Sequence, residues 1–373
     1  MDELATLSAL ELSNRIAART LSPVEVMRET LARIDAVNGD VNAIVSLRDR
    51  EALIGEARLA QAMAPSGWLH GVPVAVKDLV AVKGVRSTNG SPLFADFVPE
   101  VDDGLARRLR AAGAIIIGKT NVPEFGLGSH STNRIFGVTR NPFDQSRTAG
   151  GSSGGAAAAL KTGMVAIADG SDMMGSLRNP AAWCDVYGFR PSVGLVPGEV
   201  GDKAFVHRLS TNGPMARNVE DLEALLITLS DMAHGVGSAP VAPRVAWLGD
   251  WGGAYPMEDG LLSAGEAALT GAEALGWRVE PVAPPVPADM LWASWTTLRS
   301  FAVALSHGVH WRDAASRDLL NTQVEWEVAR GMTLTGAQIE AAQAQRVEWL
   351  QTATELFKRF DALVLPSTQC WPF

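Results

Sequence analysis

Ala149–Arg178, AGGSSGGAAAALKTGMVAIADGSDMMGSLR, sets two serine-bearing glycine turns on either side of an Ala-rich run and a short apolar one. A serine hydroxyl is a poor nucleophile until a base takes its proton, and the charge that develops on attack needs fixed donors nearby. Glycine-rich turns supply such donors from the backbone. The pattern predicts a short helix over Gly155–Lys161 closed by Gly163, then a buried strand over Met164–Ala168 running into the second serine loop. Ser152/Ser153 and Ser176 therefore fall where loops meet regular elements, and an α/β arrangement follows if the flanks alternate in the same way.

They do. Upstream, GVPVAVKDLVAVKGV after His70 alternates β-branched residues and ends a strand near Lys77, while Asp102–Ala112 reads as a helix stopped by Gly113 and Ala114–Ile117 as a strand buried on both faces. Further out, Ser8–Glu11 and Ser22-Pro23-Val24-Glu25 are capping boxes that open helices, and Asp49–Met63 is a third helical run. Downstream, Asn179-Pro180 starts another helix, Tyr187–Arg190 and Gly194–Val196 read as short sheet or loop pieces, and Glu220–Leu229 is helical. The expected architecture is α/β, a single mixed sheet wrapped in helices. It divides into an N-terminal helical segment (1–69), a core carrying the serine turns (70–231), a Gly/Pro-rich linker (232–244) and a Trp-rich helical, pocket-covering region (245–373). Nine of the eleven tryptophans lie in that last region, as filler of a helical core or as an aromatic pocket wall.

Composition bounds the partners. Forty-one acidic against 32 basic side chains leave a formal charge of −9, which argues against nucleic acid or an anionic membrane, since both reward a basic surface. Cys184 and Cys370 are too few for a disulfide framework and have no metal-ligand spacing, so both read as packing residues. MDELATLSALELSNR lacks the basic start and apolar run of a secretion signal, and no run reaches the ~18 apolar residues of a membrane span. A cytoplasmic protein is expected. No heptad pattern sets an oligomeric state, and a homo-oligomer is compatible with the sequence.

Several patterns fit by letter and fail by context. Gly113–Thr120, GAIIIGKT, has the phosphate-loop formula, but an Ala-Ile-Ile-Ile spacer wants a strand and does not wrap a phosphate. Gly150–Gly154 fits the G-x-S-x-G elbow of Ser-His-Asp hydrolases, yet NPFDQSRTAG before it is a loop where the elbow needs a strand. His307 and His310 stand three apart with no third ligand in view.

Taken as a set, GVPVAVKD, GKTNVPEFG, RNPFD, AGGSSGG and DGSDMMGSLRNPAAWCDVYGFRPSVG resemble the amidase signature family of serine amidohydrolases, in matching order and spacing from about His70 to Leu226. The resemblance implies a base at Lys77, a bridging serine at Ser152 held after a cis peptide bond from Gly151, and a nucleophile at Ser176, the two serines standing 24 residues apart as in that family. It further implies an oxyanion hole of the Met173, Met174, Gly175 and Ser176 N–H groups. Gly151, Ser153, Asp172 and Arg178 support the site, the last two as a buried pair shaping the nucleophile loop. Asn121 and Glu124 match the GKTN-x-x-E piece in structural roles. No metal and no cofactor is implied; the partner is a small-molecule amide. The chemistry needs no histidine, because a buried lysine is a base near neutral pH and a hydroxyl can both donate and accept a proton.

Two departures from the family pattern bear on what to expect. Met173-Met174-Gly175 has methionine where the family has glycine, so either the oxyanion loop takes another path or Met174 keeps an ordinary conformation and narrows the pocket floor. FDALVLPSTQCWPF resembles the family's strand and proline turn near the substrate entrance, and the family's further C-terminal stretch is expected to be lacking. The function expected is an amidohydrolase acting through a seryl acyl-enzyme. Its rivals are a glutaminase-type subunit of a tRNA-dependent amidotransferase, a degenerate member with a binding role, and, more distantly, an α/β-hydrolase using Ser152 and a histidine.

Overall fold

The computed structural model describes residues 2–197, 209–230 and 240–373. The chain forms two compact units, Met1–Gly235 with Pro372 and Val236–Trp371 with Phe373. Residues 232–239 of the expected linker lie outside the described residues, and its last residue, Arg244, opens a strand.

The first unit starts with helices α1 (Asp2–Thr6), α2 (Ala9–Ala17), α3 (Pro23–Val41) and α4 (Arg50–Ala62), with strand β1 (Ile44–Val45) between the last two. Both capping boxes close as the sequence requires, Ser8 with Glu11 and Ser22 with Glu25, and Asp49 caps α4. Next come β2 (Pro73–Lys77), α5 (Gly104–Ala111), β3 (Ile115–Thr120) and the short pair β4 (Thr132–Asn133) and β5 (Gly137–Val138). The unit ends with α6 (Gly154–Lys161), β6 (Ile167–Asp172), α7 (Arg178–Cys184), β7 (Tyr187–Gly188), β8 (Thr211–Ala216) and α8 (Val219–Leu229). GAIIIGKT is thus mostly strand. The strand expected over Met164–Ala168 begins instead at Ile167 and runs on to Asp172, after Gly163 in a left-handed conformation (φ 72) turns the chain out of α6.

The architecture is mixed α/β, but the strands are divided among several hydrogen-bonded sheets rather than one. In the first unit, β3 lies between β1 (antiparallel) and β2 (parallel), β8 lies between β6 and β7, both antiparallel, and β4 pairs with β5. The ladder is interrupted between β2 and β6, where the Lys77 N–H donates to the Asp169 carboxylate at 2.9 Å.

Strand alternation decides where the site lies. Ile115, Ile117 and Ala75 join one apolar cluster, with α3, α4 and the alanines of α6; Ile116, Val74 and Val76 join another, with α2, α5 and α8. Successive side chains of a strand point to opposite faces, so Lys77, two residues beyond Ala75, faces the α6 side and meets the serine turn that opens that helix.

In the second unit, β9 (Arg244–Trp247) is flanked by β10 (Arg278–Pro281) and β11 (Ala362–Val364) in parallel, and α9 (Leu261–Ala274) lies between β9 and β10 in the chain. Helices α10 (Ala288–Arg312), α11 (Ala314–Arg317), α12 (Thr322–Met332) and α13 (Gly336–Phe357) complete it. Polar bonds join the long helices: Ser294 donates to the Ala342 carbonyl at 2.7 Å, Ser300 to Glu327 at 2.8 Å, and Arg299 pairs with Glu327. The tryptophans are not mainly core filler. Trp251 is buried, donating to the Val286 carbonyl and packing edge-on against Trp349, whereas Trp292 and Trp326 are 55% and 59% exposed.

Candidate active site

Lys77, at the end of β2, is 1% exposed. Its Nζ donates to Ser152 Oγ at 2.9 Å, Ser153 Oγ at 2.8 Å and Ser171 Oγ at 2.9 Å, with the Ser171 carbonyl at 3.3 Å. Burial strips the ammonium of water and lowers its pKa to about 7, against the opposing pull of the Asp169 and then the Asp172 carboxylates. An amine so placed is near its midpoint at neutral pH.

The serine turn is held rigidly. Gly151–Ser152 is a cis peptide bond. A Cβ on Gly151 would stand 2.8 Å from the His130 backbone nitrogen and 3.0 Å from the Ser129 carbonyl carbon, so the turn passes its neighbour at a distance that no side chain permits. Ser131 braces it: its N–H donates to the Gly150 carbonyl, and its hydroxyl accepts the Gly154 N–H at 3.0 Å. Ser153, fully buried, donates its N–H to the Ser176 carbonyl at 3.1 Å, which ties the two serine turns together.

Ser176 is half-buried in the loop between β6 and α7, and among the described residues its hydroxyl makes no hydrogen bond. The structure therefore joins Lys77 to Ser152 directly, and joins Ser176 to this pair through the Ser153 backbone. The loop is organised by Asp172. Its Oδ1 accepts the Gly175 N–H at 2.7 Å, its Oδ2 the Leu177 N–H at 3.1 Å, and Arg178 grips both oxygens at 3.0 Å. Burial pushes the Asp172 pKa up, but the bonds and charge of Arg178, with the two N–H groups, outweigh it and hold the carboxylate below its ordinary range. Arg178 is half-exposed, so only the aspartate of the expected buried pair is buried.

The four expected oxyanion donors are not equivalent, because the Gly175 N–H is committed to Asp172. Met173, Met174 and Ser176 remain. The positive φ sits at Gly175 (φ 100), where a Cβ would also meet Asn179 Oδ1 at 2.5 Å. Met174 is absent from the positive-φ residues and is 43% exposed. Of the two paths open to the loop, it takes the one with an ordinary Met174.

Asn121 and Glu124 are buried and support neighbouring turns: Asn121 donates to Thr139 at 3.0 Å and the Gly137 carbonyl at 3.2 Å, and Glu124 accepts from Ser91 at 2.7 Å. Reading the chain by motif passed over Ser171, Ser131, Asp169 and Arg190. Arg190 donates to the Asp172 carbonyl at 3.2 Å from beyond α7. Ser171 and Asp169 stand two apart on β6, so alternation along that strand was the signal that could have paired them. Among the described residues no cluster of His, Cys, Asp and Glu could hold a metal ion, and no helix is long and apolar enough to cross a membrane.

A mixed α/β fold that buries a strand-end lysine against a cis-linked serine turn defines the class of the amidase signature enzymes. The chain belongs to that family: the family model described as Amidase matches residues 25–373. It is similar to a glutamyl-tRNA(Gln) amidotransferase subunit of Thermus thermophilus, 44% identical over 218 residues that make up 58% of this chain and 45% of that protein. The chain spans about half the length of the curated relatives it matches. Among solved structures it is similar to a bacterial aryl acylamidase of the amidase signature family, with a TM-score of 0.89 and 27% identity over 98% of this chain and 81% of that one. A crystal structure described as an amidase superposes with a TM-score of 0.88, 30% identical, over 98% and 83% of the two chains.

Proposed function

We propose that the protein is an amidohydrolase that cleaves a small carboxylic amide to an acid and ammonia or an amine through an acyl-enzyme on Ser176. The observation that carries this reading is the buried Lys77 amine, 2.9 Å from Ser152 and with its pKa lowered to about 7. In its neutral form Lys77 accepts a proton from Ser152, which takes one from Ser176 as Ser176 Oγ bonds to the amide carbonyl carbon. The oxyanion rests on the backbone N–H groups of Met173, Met174 and Ser176; one such donor is typically worth about 2.7 to 4 kcal/mol. The C–N bond breaks as the same proton returns through Ser152 to the leaving nitrogen. Water then adds to the ester, its proton following the same route, and the acid departs with Ser176 restored. The acidic charge balance is in keeping with action in the cytoplasm.

The test needs no knowledge of the amide. A fluorophosphonate should bond to Ser176, located by mass spectrometry of the digest, and Lys77→Ala should slow this by about 100-fold or more. A folded protein that takes up no label, or takes it up at Ser152 alone, would sink the proposal.

The 44% identity to an amidotransferase subunit favours a second reading, a glutaminase-type subunit that passes ammonia to a partner. Glutamine would then be hydrolysed faster when such a partner is added, whereas a free-standing amidase keeps its rate.

A further inference from the structure

Asp169 takes no part in the proton relay, yet it is 1% exposed on β6 and bonded to the Lys77 backbone. A carboxylate is costly to bury unless something compensates it. One oxygen is accounted for, since Oδ1 accepts the Lys77 backbone N–H at 2.9 Å and so fixes the end of β2. The other, Oδ2, is buried with no hydrogen-bond partner among the described residues. The charges that act on it are Lys77 from β2 and then Lys119 from β3. Lys77 in turn has Asp169 as its strongest acidic neighbour, ahead of Asp172. Lys119 is drawn mainly to Asp78, then to Asp169, Asp103 and Asp102, and its amine donates to the Val80 carbonyl. Thr120, opposite Lys77 in the β2–β3 ladder, also has a buried hydroxyl without a hydrogen-bond partner among the described residues.

We propose that Asp169 is a positioning residue for the amide-cleaving site: Oδ1 holds the Lys77 backbone in place, and the buried Oδ2, without a hydrogen-bond partner among the described residues, keeps a negative charge beside β2, which sets how readily Lys77 releases and recovers its proton. The inference rests on Lys77 acting as the general base. Burial alone would drive the lysine to a neutral amine too weakly basic to take a serine proton efficiently, since proton transfer is best when the base titrates near the working pH. A buried anion opposes that drift. Burial raises the Asp169 pKa to about 6, which is still below that of Lys77 at about 7, so the carboxylate is charged while the lysine titrates.

Asp169→Asn keeps a similar size and the acceptor for the Lys77 N–H while removing the charge. The rate of fluorophosphonate labelling at Ser176 should then reach its half-maximum about one pH unit lower than in the wild type, as expected for a lysine that has lost an adjacent opposite charge. The plateau should fall roughly three- to tenfold as the base weakens. A lower rate with an unmoved midpoint would make Asp169 purely structural and overturn the proposal. Asp169→Ser, smaller and still an acceptor, serves the same comparison if Asp169→Asn does not fold. A second readout needs no reaction. An acid whose folded pKa lies above its unfolded value loses stability as pH rises between the two, so the wild type should lose stability relative to Asp169→Asn from about pH 4 to 6. In a Lys77→Met background that loss should extend to higher pH. If it stays in place, the two charges are uncoupled and the proposal fails, even where labelling has already upheld or sunk the hydrolase reading.

Discussion

Four oxygens surround one nitrogen at Lys77, and this arrangement suits both of its protonation states. An ammonium has three N–H donors for them; a neutral amine has two, with a lone pair left to accept a hydroxyl proton. The pH dependence follows from the sign of the shift. Since the folded pKa is about 7, the labelling rate at Ser176 should rise with pH through about 7 and flatten above it. A rate independent of pH between 6 and 8 would show that a different group is the base. Asp172 acts on backbone instead. Arg178→Ala leaves its carboxylate buried with the Gly175 and Leu177 N–H groups still bound, and Arg190 nearby as a remaining cation. We expect a loss of about 1–3 kcal/mol in denaturant unfolding, smaller than for a fully buried pair because Arg178 is half-exposed. Asp172→Ala frees the Gly175 N–H and lets the loop move, and should reduce labelling by at least tenfold.

Helix α6 matters because the serine turn leads directly into it, with Ser153 at its N-cap. Every residue from Gly154 to Leu160 is buried, and a run of small side chains lets the helix approach the end of β3 closely. At Gly155 an added Cβ would lie 2.3 Å from the Asn121 nitrogen and 2.7 Å from its carbonyl oxygen. Gly155→Ala must push helix and strand apart, and overpacking of this kind costs about 1–3 kcal/mol. The serines move with the helix, so labelling of Ser176 should fall by more than the loss of folded protein explains; equal losses would argue that the turn is independent of the helix. The exposed Met174 makes a contrasting case at the level of the loop. With ordinary φ and a side chain that is 43% exposed, Met174→Ala should leave stability within about 0.5 kcal/mol of the wild type.

Across the whole molecule, buried titrating groups make stability a function of pH. Lys77 binds fewer protons folded than unfolded between about pH 7 and its ordinary value of 10.5, so its contribution grows as pH rises through that window. Lys77→Met removes this term. The variant's melting temperature relative to wild type should therefore be highest below pH 7 and decline steadily towards pH 10. A constant difference would show that Lys77 is not held near neutrality by burial. The candidate site is built within one unit, from β2, β6, the serine turn before α6 and the loop after β6, and among the described residues the hydrogen-bond partners of Lys77 all belong to that unit.

The sequence by itself determined the mixed α/β class, the capping boxes at Ser8 and Ser22, the strand that ends at Lys77 and the family, because each is written in short-range spacing or in an ordered set of motifs. The tertiary structure alone decided three further matters. It divided the strands among several sheets and joined β2 to β6 by the bond from the Lys77 N–H to the Asp169 carboxylate, since which strands pair depends on how the chain packs in space. It engaged the Gly175 N–H with Asp172, since a buried carboxylate takes the donors within reach. And it added Ser171, Ser131 and Arg190 to the constellation, because a side chain's partners depend on which faces and turns meet in space. Periodicity states which face a residue occupies; only packing states what stands opposite it.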